Sequence, residues 1–273
     1  MKTAISNIAW NLADDAWVAD LMVELGVTGV EIAPTKIWQK PLLATATELR
    51  DYRRFWEQRG IRIVAMQSLL FGRADFQVFE DRGKRDELLQ YLDGIMALAG
   101  ALGAGPLVFG SPKNRKVGGR PRAEVDAIAL DFFRRAGDAA VKHGVTLCIE
   151  PNPTQYECDY VTCAQQGLEL VRAVDHPGFR LHLDAAGMTL AKDPLGASLQ
   201  SALGYLSHFH VSEPFLGAIG QGGVEHGVLA GALRRLGYAN WTSVEMRFNP
   251  EVDLKVELRR VMGLLRQVYG NPA

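Results

Sequence analysis

Four side chains with metal-binding or proton-transfer chemistry stand where short alternations of apolar and polar residues end: Glu150, Asp184, His210 and Glu245. Successive residues of an extended chain point to opposite faces. Val145, Leu147 and Ile149 therefore share one face, and Thr146, Cys148 and Glu150 the other. In the same way Phe179, Leu181 and Leu183 oppose Arg180, His182 and Asp184, and Phe209 and Val211 oppose His208, His210 and Ser212. Thr242, Val244 and Met246 oppose Trp241, Ser243, Glu245 and Arg247. If the apolar faces pack on helices, the polar faces meet one another. Three carboxylates gathered away from water are costly unless something compensates their charge, and a divalent cation is the simplest compensation. For any one of these residues alone, a salt-bridged core group or a solvated strand end is the competing reading.

Three carboxylates and one imidazole form a hard, mostly oxygen donor set. It suits Mn²⁺ best, with Mg²⁺, Co²⁺ and Zn²⁺ as alternatives. Cys148 lies a layer below Glu150, so no thiolate is implicated. His182 and His208 lie similarly beneath Asp184 and His210, where they read as groups orienting the carboxylates above them rather than as ligands. A metal here can hold two adjacent oxygens of a polyol or hydroxy-ketone and acidify the proton on the carbon between them by stabilising the enediolate. Glu150 and Glu245, from separate strands, are the natural acid/base pair to remove and return that proton.

The elements that must position these residues form one repeated alternation. Candidate strands are Ala4–Ala9, Gly29–Ala33, Ile61–Gln67, Pro106–Gly110, Val145–Glu150, Phe179–Asp184, Leu206–Ser212 and Thr242–Arg247. Between them the 3.6-residue period predicts helices over Ala16–Leu25, Ala46–Arg59, Arg85–Leu102, Arg122–His143, Thr162–Val174, Pro194–Leu203, Gly227–Leu236 and Asp253–Tyr269. Gly26, Gly60, Gly103, Gly144 and Gly237 stand where left-handed helix caps are needed. Alternating strands and helices imply a parallel sheet. Eight such units predict an α/β chain folded as a single (β/α)₈ TIM barrel spanning 1–273, with its active site at the C-terminal ends of the strands.

Composition narrows the function classes. The 273 residues carry a formal net charge of −1 with both signs interleaved, which gives no nucleic-acid footprint. No GxGxxG follows the first strand and no GxxxxGK[ST] is present. No window reads as a membrane span, and the start at Met1 does not read as a signal peptide. The three cysteines form no CxxC pair, and a reducing, cytoplasmic setting is the expectation.

The segments Cys148-Ile149-Glu150-Pro151-Asn152, Leu181-His182-Leu183-Asp184, His208-Phe209-His210-Val211-Ser212-Glu213 and Ser243-Val244-Glu245-Met246-Arg247 resemble the xylose-isomerase-like barrel superfamily. Within it, the chain looks most like the sugar phosphate isomerase/epimerase group that includes D-tagatose 3-epimerase. The resemblance implies one Mn²⁺, Co²⁺ or Mg²⁺ ligated by Glu150, Asp184, His210 and Glu245, with the two Glu as acid and base on a small sugar-like substrate. It is also compatible with a homo-oligomer, although no feature of the sequence fixes an interface. Two departures point away from a simple ketose 3-epimerase. Gly187 stands where that group carries a His three residues after the metal Asp, and Pro214-Phe215-Leu216 stands where it carries an Arg. A lyase that expels water after the same proton abstraction is the main alternative. An endonuclease IV-type phosphodiesterase is disfavoured, because Gln67-Ser68 and Gly110-Ser111 lack its histidines; a non-catalytic barrel is disfavoured by the intact Glu pair.

Further candidates for substrate contact lie in the loops. Lys113, in Ser111-Pro112-Lys113-Asn114-Arg115-Lys116, would grip an acidic group, or the loop is merely solvated. Gly220-Gln221-Gly222-Gly223 is either a phosphate cradle or a mobile lid. Gln67, Glu213 and Arg247 are placed to meet substrate. Glu31 reads as a pocket wall or as the partner of an arginine. Trp10 and Trp38 are placed to stack on a sugar or to pack within their loops.

Overall fold

The structure is a computed structural model that describes residues 1–270, so the last three residues of the unit expected over 1–273 lie outside the described residues. Its strands are β1 Lys2–Ser6, β2 Gly29–Ile32, β3 Arg62–Met66, β4 Pro106–Phe109, β5 Thr146–Ile149, β6 Phe179–Asp184, β7 Leu206–Ser212 and β8 Trp241–Glu245. All pair in parallel in chain order, and β1 pairs with β8 to close the ring. The expected TIM barrel is therefore present.

The helices are α1 Asp15–Leu25, α2 Pro34–Ile37, α3 Ala46–Glu57, α4 Arg82–Leu102, α5 Arg122–Lys142, α6 Ala164–Val174, α7 Ala185–Leu190, α8 Leu195–Ala202, α9 His226–Arg235 and α10 Leu254–Tyr269. The long ones fall within a few residues of the expected spans, and the five punctuating glycines all have positive φ. Two short helices, α2 and α7, were not anticipated; neither is long enough to show a 3.6-residue period. β1 also ends earlier than expected. At Asn7 the chain turns into a 3₁₀ segment over Asn7–Ala9, and the Asn7 side chain accepts a hydrogen bond from Ala33 N.

The outward faces of the strands carry the main core. Ile5, Val30, Leu147, Ile149, Phe179, Leu181, Phe209 and Val244 are fully buried against the helices. The inside of the barrel is different. A small apolar group of Ala4, Val64 and Ala65 packs with Trp241, and above it the interior is polar. Gly29 makes room for this floor, since a Cβ there would lie 2.6 Å from the Trp241 ring. The register then lifts the polar residues to the C-terminal rim, with Asp184 opposite His210 and Ser212 opposite Glu245.

Candidate metal centre and its cavity

Each strand from β5 to β8 delivers one chemical group at its C-terminal end. One donor atom from each of Glu150, Asp184, His210 and Glu245 lies within 4.8 Å of the others. The His210 ring is oriented edge to edge between two sets of carboxylates. Its Nδ1 lies 3.2 Å from Glu245 Oε2 and 3.9 Å from Glu150 Oε1. On the other edge, Nε2 lies 3.0 and 3.1 Å from the oxygens of the fully buried Glu31. Asp184 is fixed from both sides: its Oδ1 accepts from Gly187 N at 2.5 Å and its Oδ2 from the Ser212 hydroxyl, which itself accepts from Ala186 N at 3.0 Å. Glu150 needs the glycine beside it, because a Cβ at Gly110 would lie 1.8 Å from its Oε2.

The electrostatics of the group are unbalanced without a cation. Burial, followed by the charges of Glu245 and Asp184, pushes Glu150 up to about 8. Burial and the Glu245 charge push Asp184 up to about 6. Burial lowers the affinity of His210 for a proton, yet the Glu31 and Glu245 charges outweigh it and hold His210 well above the usual histidine range. Burial acts upward on Glu31, but His210 and His208 hold it well below the usual carboxylate range. Among the described residues, the ion pairs of Glu150 and Glu245 are with histidines alone. His210 Nδ1 is fully buried, and the groups it faces are the carboxylates of Glu245 and Glu150. An imidazole nitrogen facing like-charged carboxylates is a donor set that a divalent cation fits, and a Glu31 that accepts a hydrogen bond from Nε2–H would leave Nδ1 free to ligate.

His182 and His208 lie one layer deeper. His182 Nε2 is 3.6 Å from Glu150 Oε1, and His208 Nε2 is 3.3 Å from Glu31 Oε2. Two other potential metal groups, Glu31 with His208 and His210 and Glu150 with His182 and His210, share His210 with the first. The three groups therefore form one contiguous cluster around His210, two of them also sharing Glu150.

The centre forms the floor of a cavity of about 620 Å³. Gln67, Glu213 and Arg247 line it together with Glu150, Asp184 and Glu245. Gln67 is nearly buried and its Nε2 donates to Ser6 Oγ at 2.5 Å. Arg247 is exposed at the rim and is the one lysine or arginine lining the cavity among the described residues. Glu213 is engaged elsewhere: its carboxylate accepts from Gly220 N at 2.8 Å and Val224 N at 3.2 Å and lies 3.1 Å from His226 Nε2. The glycine-rich loop thus wraps its backbone amides around an internal carboxylate, and these two amides do not form a phosphate cradle.

Lys113 is a correction. It is exposed and does not line the cavity, because its loop is pinned from within. Arg115 is fully buried and donates to Phe109 O at 3.1 Å and Glu150 O at 2.7 Å, while buried Asn114 donates to Arg73 O and Phe76 O at 2.7 Å each. The basic loop is a strut under Glu150. Trp10 is likewise structural: it is fully buried and donates to Asp15 Oδ1 at 2.7 Å. Trp38 packs edge-on against Tyr52. The sequence reading missed the roles of Glu31 and Ser212, although the same alternation had placed Ser212 on the inward face.

Comparison with known proteins agrees with this architecture. A D-psicose 3-epimerase of Ruminiclostridium cellulolyticum is 28% identical over 110 residues, which covers 40% of this chain and 37% of that protein. That match thus spans under two fifths of the relative's length. An L-ribulose 3-epimerase of a Methylomonas species is 26% identical over 235 residues, covering 85% of this chain and 78% of that protein. The solved structure of the D-psicose 3-epimerase of Clostridium cellulolyticum H10 with D-tagatose superposes with a TM-score of 0.83 at 19% identity, covering 99% of this chain and 100% of that one. Residues 19–267, from the first helix to the last, match the family described as xylose isomerase-like TIM barrel, and with its closed ring of eight parallel strands the chain belongs to that family.

Proposed function

We propose that this protein is a metal-dependent sugar isomerase or epimerase acting on a keto-sugar, with Glu150 and Glu245 as the acid/base pair. The observation that carries the reading is the meeting of Glu150, Asp184, His210 and Glu245 on the floor of an open cavity. The 3-epimerase relatives support a sugar substrate. When bound, a divalent cation, for which Mn²⁺ is our choice, would neutralise the negative charge that develops on substrate oxygens as a carbon-bound proton leaves.

The protein's own groups divide the remaining work. Asp184, held by Gly187 N and the Ser212 hydroxyl, has its carboxylate fixed in place. Glu31 fixes the ring plane of His210. Glu150 and Glu245 stand at the ends of β5 and β8, three strands apart in the ring. One carboxylate takes the proton from the carbon beside the carbonyl, and the other returns a proton from its own side, which inverts that carbon. Nothing in the site favours dehydration over this proton transfer.

The test is deuterium wash-in from D₂O beside the carbonyl of a ketose, using Mn²⁺-loaded protein, together with product mass. The expected result is exchange with conserved mass, reduced at least a hundredfold in both Glu150→Gln and Glu245→Gln, the scale of general acid–base catalysis. Exchange that survives both substitutions would exclude the pair, and a product lighter by one water would make the enzyme a lyase.

A further inference from the structure

Two large aromatic side chains stand exposed at the mouth of the cavity, where the fold gives them little packing in return. Phe71 is 72% exposed and Phe215 66% exposed, and both line the cavity. They sit on the loops after β3 and β7, two strands that lie on opposite sides of the ring of eight. Both loops place non-glycine residues in left-handed backbone: Ser68 at φ 53, Phe215 itself at φ 59 and Leu216 at φ 60. Such conformations persist only where the surroundings over-determine them, and they cluster at ligand-binding sites.

For Phe215 the surroundings are visible. Tyr156 accepts a hydrogen bond from Phe215 N at 3.1 Å, and its ring meets Phe215 edge-on at 5.3 Å and 76°. That contact steadies the ring and leaves most of it bare. The cavity is thus polar and acidic at its floor and aromatic at its mouth. At about 620 Å³ it falls mid-range for pockets that enclose drug-sized ligands. A single monosaccharide is smaller than such ligands, and one with its reacting carbons on the floor would leave the mouth unfilled. The apolar C–H face of a sugar ring packs on an aromatic face, and Asn152, Gln155 and Arg247 line the same cavity with groups that could meet hydroxyls.

We propose that Phe71 and Phe215 form a second sugar subsite, so that the preferred substrate is a glycosylated keto-sugar with its reacting end at the carboxylate floor and its second ring held between the two aromatic side chains. This rests on the sugar reading of the floor, and the test separates the two.

The probes are fructose and 6-O-α-D-glucosyl-fructose, offered to the full chain loaded with Mn²⁺, with deuterium wash-in beside the carbonyl as readout. The kcat/KM for the glucosylated ketose should exceed that for fructose about tenfold or more. Phe71→Ala and Phe215→Ala should each cut that ratio roughly three- to tenfold, the scale of a single aromatic contact. A ratio near one in the wild type, or one that both substitutions leave unchanged, overturns the subsite. If neither ketose exchanges deuterium, calorimetric binding of the same sugars decides. A preference for the larger sugar that depends on the two Phe keeps the subsite and removes only the epimerase reading; no preference overturns the subsite. If the substitutions abolish self-association and leave the ratio intact, the rim is a contact between copies of the chain and the subsite is wrong.

Discussion

Glu31 shows how far a single residue can be read from sequence and where reading stops. The Gly29–Glu31 alternation places it on the inward face, but its partner could not be known, and an arginine was one expectation. In the fold its two oxygens instead lie within 3.0–3.1 Å of His210 Nε2, with His208 at 3.3 Å. A carboxylate that fixes a ligating histidine's tautomer typically changes metal affinity by about 10- to 100-fold when removed. Glu31→Gln keeps the shape and loses the charge, so calorimetric titration of the stripped protein with Mn²⁺ should show weaker binding by about that factor. An affinity within twofold of wild type would mean that Glu31 only fills space. The four candidate ligands themselves were legible because period two and strand ends fix both face and height. Lys113 was not, because loop residues have no period to set their direction, and the buried charge of Arg115 decided the matter.

At the scale of elements, the helices and strands could be read because each is long enough to show its period. α2 and α7 were too short, and α7 follows directly on Asp184, whose side chain caps it by accepting from Gly187 N. The loop between β7 and α9 allows two readings from its sequence, a phosphate cradle or a mobile lid. Its glycines suggested an anion site, and the anion proves to be the chain's own Glu213. A Cβ at Gly222 would lie 2.4 Å from Glu213 Oε2, so the glycine serves that close wrap. His226 Nδ1, 2.9 Å from Tyr269 OH, extends the network to α10. Glu213→Ala would leave Gly220 N, Val224 N and His226 without their acceptor in a largely buried place. Losing acceptors of this kind costs about 3 kcal/mol, which should appear as a lower urea midpoint with an unchanged slope. A loss below about 0.5 kcal/mol would show that the loop does not depend on Glu213 and that its carboxylate is available to substrate.

The whole molecule carries an electrostatic conflict that the sequence could state and only the fold could measure. Closing eight strands over a Trp241 floor leaves three carboxylates, from the ends of β5, β6 and β8, facing one another at the rim. The outward cores of the barrel must hold that arrangement against the burial and the mutual repulsion that together push Glu150 up to about 8 and Asp184 to about 6. A ligand that binds only the folded chain adds RT ln(1 + [L]/Kd), which is about 2.7 kcal/mol at a hundred times Kd. For a chain of this size that corresponds to a rise in Tm of about 5–10 °C. Chelator-treated protein should therefore melt lower than protein supplied with Mn²⁺ at that ratio. Glu150→Gln should do the opposite of an ordinary loss of a site residue. By removing one of the repelling charges it should raise the Tm of the stripped protein, while the response to Mn²⁺ shrinks, because stability and function compete for the same carboxylate. If stripped Glu150→Gln melts below stripped wild type, the carboxylates are not in conflict and Glu150 contributes to the fold in its own right. If the wild type melts at the same temperature with and without Mn²⁺, Mg²⁺, Co²⁺ or Zn²⁺, the floor of the cavity does not hold a cation.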